Sequence, residues 1–359
     1  MKIILAENSF TGAYGSFSIF FDEIECALKR MNHEVFRAYN VRDLESVYNH
    51  HAVDFSLSIG KYNFFSDDQL LCEKYRTPHY QWIIDNPMKM PDFTGENFVP
   101  IFIDREFIEM YDNPPKNYLC LPLGIEINES EEDPADNNRV NGIIFAGQVK
   151  SIDALKDEIM QSRQLNIIEK FIKLAAENLD ASFILQYKKF LADNEPYDEE
   201  EFFRLANSYL RSMKRVTILQ RINKFPLILA GDIFEKSLLQ KNNVIHLGKV
   251  SYENLHEIFS HYTHVLHISP NYSACIHDRI LRGVKAGCNV VADGGEVLRK
   301  IFGGALTYFD YRTFNGEIPN VSHKSLTKAR EILKCFSWER VLLSIIGHYR
   351  KLRRQHDRS

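Results

Sequence analysis

The stretch VLHISPNYSACIHDRILRGVKAGCNVVADGG, from Val265 to Gly295, constrains the fold more than any other part of the chain. It reads as strand, loop, helix, strand, loop. VLHIS (265–269) is apolar and short enough for a buried strand, and Pro270 and Asn271 break the run. In CIHDRILRGVKAG, Ile276, Ile280 and Val284 recur every four residues, the spacing of one helix face. Gly287 stands where a helix commonly ends in a left-handed residue. Asn289–Ala292 is a second β-branched run, closed by Asp293, Gly294 and Gly295. A helix that starts after such a loop turns its unpaired N–H groups toward the carboxyl edge of the sheet and offers them to an anion. His277 and Arg279 fall in its first turn. The plain alternative is an ordinary crossover connection that binds nothing.

The first half of the chain shows the same alternation. Lys2–Ala6 reads as a buried strand, followed by the polar loop ENSFTGAYGS (7–16) and a helix over 17–31. Further strands are expected at 33–39, 54–60, 79–84, 100–104 and 118–122, with a helix near 67–75. This pattern predicts an α/β fold with a parallel sheet and helices on both faces. Ligands of such sheets sit beyond the carboxyl ends of the strands, so the loops 7–16, 60–65 and 85–90 form the working edge. GAYG (12–15) is not GxGxxG, and no acidic residue follows at the ribose-binding distance, which argues against a dinucleotide site. Gly12 and Gly15 suit a tight strand-to-helix turn instead. Asp85 stands at a strand end, where it is either a reactive carboxylate or a turn former before Pro87.

A length of 359 residues favours two domains. The acidic, turn-rich segment EINESEEDPADNNR (126–139) marks the junction. The expected division is 1–140, 141–336 and a C-terminal basic helix, 337–359, packing back on the N-terminal lobe. In the second domain a strand at 142–146 leads to Lys150, a helical section spans 155–222, and strands at 226–229 and 244–247 precede Asp232 and Lys249. In the terminal helix Trp338, Val341, Leu342, Ile345, Ile346 and Tyr349 share one side. Its basic end complements the helix dipole and is a candidate for contact with an anionic membrane surface. Net charge is −4, so there is no global electrostatic case for nucleic acid. The six cysteines show no CxxC spacing and read as reduced thiols. The N-terminus is too polar for a signal peptide, and no apolar run approaches the ~20 residues of a membrane span. These features predict a cytosolic protein, or one peripheral to the inner face of a membrane.

The segment NNVIHLGKVSYENLHEIFSHYTHVLHISPNYSACIHDRILRGVKAGCNVVADGG resembles the donor-binding half of GT-B glycosyltransferases. More narrowly, it resembles the group 1 branch typified by spore-maturation (CgeB-like) transferases. His277-Asp278-Arg279, Ala286-Gly287 and Val290–Asp293 match that branch in order. YLRSMKRVTILQRI (209–222) resembles its helical section, and LPLGI (121–125) the end of its N-terminal lobe. The likeness is good over about 205–295 and loose elsewhere.

The resemblance implies an α/β fold of two Rossmann-like domains facing across a cleft, with a C-terminal helix. It implies transfer of a sugar from a nucleotide-sugar donor to a hydroxyl of a glycan, lipid or protein, with no cofactor. The diphosphate leaving group gains negative charge, so the site needs cations and N–H donors. Ser273 begins the donor-binding set, at the helix start beside Ala274 and Cys275. His277, Asp278, Arg279 and Asp293 continue it, Arg279 as a bidentate phosphate ligand. Lys150 and Lys249, each after a strand end, complete it. With no DxD-type pair at a strand end, metal-independent chemistry is expected. An inverting reaction requires a base, with Asp85 the first choice and Glu7 the second. One position departs from the pattern: Arg282 stands where related transferases carry a ribose-binding glutamate. A local role for it is pairing with Asp278 on an exposed helix, worth a few tenths of a kcal/mol. Two other functions fit the same scaffold: a non-hydrolysing sugar-nucleotide epimerase and a catalytically silent sugar- or partner-binding protein.

Overall fold

The largely apolar run Lys2–Ala6 forms β1, with Ile3, Ile4 and Leu5 fully buried inside a parallel sheet. The computed structural model describes residues 1–7, 13–60, 65–66, 69–84, 95–127, 139–269, 271, 274–319 and 322–356. The chain divides into two units, one of Met1–Asn128, Ser251–Glu253 and Cys335–Ser359, the other of Glu129–Val250 and Asn254–Lys334.

In the first unit α1 (Ser16–Arg30) buries Phe17, Phe20, Phe21, Ile24, Ala27 and Leu28, the stripe expected of an amphipathic helix. The chain continues through β2 (Glu34–Ala38), α2 (Val41–His50), β3 (Phe55–Ile59) and a short antiparallel pair, β4 (Phe65–Ser66) and β5 (Gln69–Leu70). α3 (Leu71–Lys74), β6 (His79–Ile83), β7 (Phe98–Phe102) and β8 (Leu119–Cys120) follow. Strand order is β2-β1-β3-β6-β7-β8, and every pairing is parallel. Strands buried on both faces need side chains apolar on both, which explains the unbroken apolar runs.

The second unit opens with β9 (Val140–Ala146). Four helices then intervene before the next strand: α4 (Ile152–Met160), α5 (Leu165–Ala176), α6 (Phe183–Leu191) and α7 (Glu199–Arg221). Asp198 caps α7 by accepting from the Glu201 N–H, and three glutamates fill its first turn. The unit continues with β10 (Leu227–Ala230), α8 (Lys236–Leu239), β11 (Val244–Gly248), α9 (Leu255–Ser260), β12 (Tyr262–His267), α10 (Asp278–Lys285) and β13 (Asn289–Asp293). α11 (Glu296–Phe302), β14 (Thr307–Phe309) and α12 (His323–Leu333) complete it. The strand order β11-β10-β9-β12-β13-β14 is again all parallel.

α13 (Trp338–His356) belongs to the first unit. Trp338 is fully buried, and its indole N–H donates to Glu23 at 2.7 Å. A Cβ at Gly124 would lie 2.5 Å from the Trp338 ring, so the glycine lets the chain pass close to it.

Candidate functional site

In the second unit the chain lays β10 and β11 on one side of β9, then crosses to place β12 on the other. The carboxyl edge at such a reversal is where parallel sheets leave a crevice for ligands. Gly147 follows β9 at this point, and Ile268 and Ser269 follow β12. A Cβ at Gly147 would stand 3.2 Å from Nη2 of Arg279. The bare backbone leaves that guanidinium room to lie over the Phe145 ring, 5.2 Å from its centroid.

Arg279 stands in the first turn of α10, whose N-cap is His277: the ring Nδ1 accepts from the Arg279 N–H at 3.2 Å. His277 therefore precedes the helix rather than lying in its first turn. The same Nδ1 meets the Asp278 carboxylate. A lone pair is needed for the cap and a proton for the carboxylate, so the two contacts belong to different placements of the ring proton. Arg279 Nη1 also lies 3.5 Å from Nδ1 of His267. A guanidinium only donates, so Nδ1 of His267 accepts and its proton sits on Nε2, which faces Asp293 Oδ1 at 3.9 Å. Burial, reinforced by His277 and Arg279, holds the His267 pKa well below its ordinary value and keeps the ring neutral.

Asp293 ends β13. Both its oxygens accept from the Ser269 N–H at 2.9 Å, and Oδ2 also accepts from the Tyr311 hydroxyl at 2.6 Å. Burial raises its pKa to about 6, against the opposing pull of the Tyr311 hydrogen bond and Lys214.

Helix α7 supplies three cations. Arg211, Lys214 and Arg215 are spaced i, i+3, i+4 and so share a face. Arg215 is only 2% exposed, donates to the Gln148 carbonyl, and lies 5.6 Å from the Phe145 centroid. Its pKa is pushed down first by burial and then by the guanidiniums of Arg211 and Arg279. Lys214, also buried, sits 5.3 Å over the Tyr311 ring. A cavity of about 60 Å³ opens among these groups, lined in part by Lys214, His267, Ser269, Asn271, Asp293 and Tyr311.

Of the residues singled out in the sequence, the structure brings His277, Asp278, Arg279 and Asp293 together around His267. Ser273 and Asp85 lie outside the described residues. Lys150 follows β9 half-buried and Lys249 follows β11 exposed, and neither lines the cavity. β11 is three strand spacings, about 14 Å, from β12. Arg282 is buried at 7% exposure in a helix that also buries Ile280, Leu281, Gly283 and Val284, so the exposed-helix setting expected for a pair with Asp278 does not hold.

Lys214, Arg215, His267, Asn271 and Tyr311 escaped the sequence reading. The i, i+3, i+4 run of cations in RSMKR was the available signal for the first two. Among the described residues, no group of three or more His, Cys, Asp or Glu side chains is placed to hold a metal ion.

In the first unit Glu7 follows β1, and its N–H donates to the Ala38 carbonyl. Its carboxylate accepts from Arg37 at 2.8 Å, and Arg37 also holds Glu25 at 2.8 Å and Asp22. Burial raises the Glu7 pKa, and Arg37 opposes the rise.

Comparison with protein-family profiles and with curated protein sequences finds no match. Among solved structures the chain is similar to AviGT4, a glycosyltransferase involved in avilamycin A biosynthesis, at 12% identity and TM-score 0.54, covering 98% of each chain. It is similar to sucrose-phosphate synthase from Thermosynechococcus elongatus at 10% identity and TM-score 0.53, covering 98% of this chain and 99% of that one. The lipopolysaccharide outer core galactosyltransferase WaaB aligns at 10% identity and TM-score 0.52, over 97% of this chain and 99% of its own. The fold is the GT-B fold of glycosyltransferases: two six-stranded parallel sheets with flanking helices and a C-terminal helix. No helix among the described residues is long and apolar enough to cross a membrane.

Proposed function

We propose that the protein is a glycosyltransferase that moves a sugar, in our reading a hexosyl group, from a nucleotide-sugar donor to an acceptor hydroxyl. The observation that carries this reading is the group of buried cations at the switch point of the second sheet. Arg215 and Lys214 are almost wholly buried, and Arg211 and Arg279 press their charge on Arg215. The Asp293 carboxylate acts on both Arg215 and Lys214, and a concentration of fixed cations at a sheet edge is what a diphosphate binds. As the glycosidic bond breaks, the diphosphate takes up the bonding electrons, and fixed cations in a dry site stabilise it there. In this role Arg279, Arg215 and Lys214 do the neutralising that a divalent cation does in other transferases, so we assign metal-independent chemistry.

Ser273 and the N-cap His277 are assigned to the same phosphates, Asp278 and Asp293 to holding His277 and the Ser269 loop, and Lys150 and Lys249 to the outer part of the donor. The acceptor, a glycan, lipid-linked or protein hydroxyl, is assigned to the carboxyl-edge loops of the first unit. If the reaction inverts configuration, Asp85 takes the proton ahead of Glu7, because the Glu7 carboxylate is tied to Arg37. Ordered likeness over 205–295 supports the spore-maturation branch. The exposed Arg350, Lys351 and Arg354 of α13 support a cytosolic protein that touches an anionic membrane face.

A thermal-shift panel of UDP-, GDP-, ADP- and dTDP-sugars tests the reading. One nucleotide class should raise the melting temperature of the wild-type protein and have no effect on Arg279→Ala. If no nucleotide raises it, the proposal fails.

A further inference from the structure

Asn271 combines three features that its neighbours do not. It follows β12 with φ at +76°, in the left-handed region that costs most residues but that asparagine tolerates better than most. Its side chain is 1% exposed. Its amide Nδ2 donates to both the carbonyl and the side-chain oxygen of Asn207 on α7, at 3.1 and 2.8 Å. Two acceptors on one nitrogen fix which end of the amide is which, because a flipped amide would set oxygen against oxygen. The end left over, Oδ1, is buried and has no hydrogen-bond partner among the described residues. A buried acceptor without a donor is destabilising. Backbone strain and an unmet polar group at one residue are the marks of a position held for something other than stability.

Asn271 lines the cavity that also holds Ser269, Asp293 and Lys214. The carboxylates around that cavity are engaged. Asp293 takes Ser269 and Tyr311, Asp180 takes the Tyr311 N–H, and Asp310 takes Arg299. Only the Asn271 oxygen lacks a donor within this set. A cavity of ~150 Å³ is needed to take a benzene ring. At about 60 Å³ this one takes the hydroxyl edge of a sugar ring rather than the whole ring.

We propose that Asn271, clamped by Asn207, is the residue that reads the transferred sugar: its Oδ1 accepts a hydrogen bond from a sugar hydroxyl seated in this cavity. This rests on the donor reading above and adds to it the selection between a sugar nucleotide and its bare nucleoside diphosphate. A site that hydrogen-bonds a hydroxyl rejects the analogue lacking it far more strongly than an apolar pocket rejects a missing methylene.

The test is calorimetric titration of the full chain with UDP, UDP-glucose, UDP-galactose, GDP and GDP-mannose. The quantity read is the affinity of each sugar nucleotide divided by that of its diphosphate. Asn271→Gly is the first variant, since glycine accepts the positive φ and removes only the side chain. Asn207→Ala is the second, because it loosens the clamp without touching the cavity residue. The wild-type protein should prefer one sugar nucleotide to its diphosphate. That ratio should fall about tenfold or more in Asn271→Gly, and by less in Asn207→Ala. If the ratio is unchanged in Asn271→Gly, or is already one in the wild type, the sugar-reading role is overturned and the donor site stands. If neither diphosphate nor any sugar nucleotide binds, the donor reading falls, and the role of Asn271 falls with it.

Discussion

Both sheets reverse direction beside their first strand, the first sheet after two strands and the second after three, yet they place opposite charge there. Beside the first switch point, at the carboxyl ends of β1 and β2, one arginine, Arg37, sits among three carboxylates, those of Glu7, Asp22 and Glu25. At the second, Arg215 and Arg279 lie over the Phe145 ring and Lys214 over the Tyr311 ring, with Arg215 repelled by Arg211 and Arg279. In the first the carboxylates outnumber the arginine they hold; in the second cations crowd one another, and that difference is what we expect to separate a structural ion network from an anion site. One fold supports both, because the chemistry is decided by a few side chains at the strand ends and on the helix above them.

Each unit also buries a neutral histidine, and acid should expose the contrast most strongly. In the first unit Tyr48 donates to Ser56 at 2.9 Å, and the His79 ring bridges Ser56 and Ser58 at 2.7 and 2.8 Å. Burial lowers the His79 pKa to about 3 from an ordinary 6.5. A base whose folded pKa is depressed must take up a proton on unfolding, so its contribution is complete above pH 6.5 and lost as pH falls toward 3. For one such group the loss is on the order of 4 kcal/mol. His267 acts in the same direction. Asp293 runs the other way: its pKa is raised from 3.8 to about 6, so its share is full below 3.8 and is lost as pH rises through 6. Denaturant titrations from pH 7 to pH 4 should show stability falling. Asp293→Asn should steepen that fall by removing the offset, and His79→Gln should flatten it. A flat profile in the wild-type protein would contradict both assignments.

The next largest effects should separate function from stability. Replacing Arg215 with methionine removes a buried, repelled charge and keeps most of the volume. Stability should hold or rise by about 1 kcal/mol. Donor-dependent turnover should fall by roughly 100- to 1000-fold, the usual cost of deleting one group that stabilises developing negative charge. The same change at Arg37 strands the largely buried Glu7 and the exposed Asp22, while Glu25 keeps Lys29 at 2.6 Å, and should cost about 2 kcal/mol, discounted from a fully buried pair because Asp22 is exposed. Melting temperature and turnover, measured side by side, should move in opposite senses for the two variants. If Arg215→Met melts well below the wild type, the cation cluster is a structural element and the comparison breaks.

The elements of this fold that the sequence reveals are those whose periodicity is strong. β1 and β13 each carry an unbroken apolar run, Ile3–Ala6 and Val290–Ala292, and α1 shows six buried apolar residues on one stripe. α2 and α12 bury only two residues each, so their apolar spacing is too sparse to read as a helix. β14 has three residues, too few for any period. The site divides along the same line. His277, Arg279 and Asp293 lie within one βαβ unit, and local order points to them. Lys214 and Arg215 reach the site from α7, separated from α10 by some sixty residues of chain, and only the sheet winding brings them there. Asn271 was legible as a turn residue but not as a buried one, because its partner Asn207 is equally remote.

The smallest effect isolates charge from the rest of the donor. Inorganic pyrophosphate carries the diphosphate without base or sugar. A ligand that binds only the folded state stabilises it by RT ln(1 + [L]/Kd), about 1.4 kcal/mol at ten times Kd. Pyrophosphate should therefore raise the melting temperature of the wild-type protein by a few degrees. The increment should disappear in Arg215→Met and shrink at high salt, where exposed charge is screened while the buried part of the cluster retains some pull. Arg37→Met should keep the increment despite its lower melting temperature, because its cluster has no charge to spare for an anion. Loss of the pyrophosphate effect in Arg37→Met but not in Arg215→Met would move the anion site to the first sheet and reverse the roles of the two switch points.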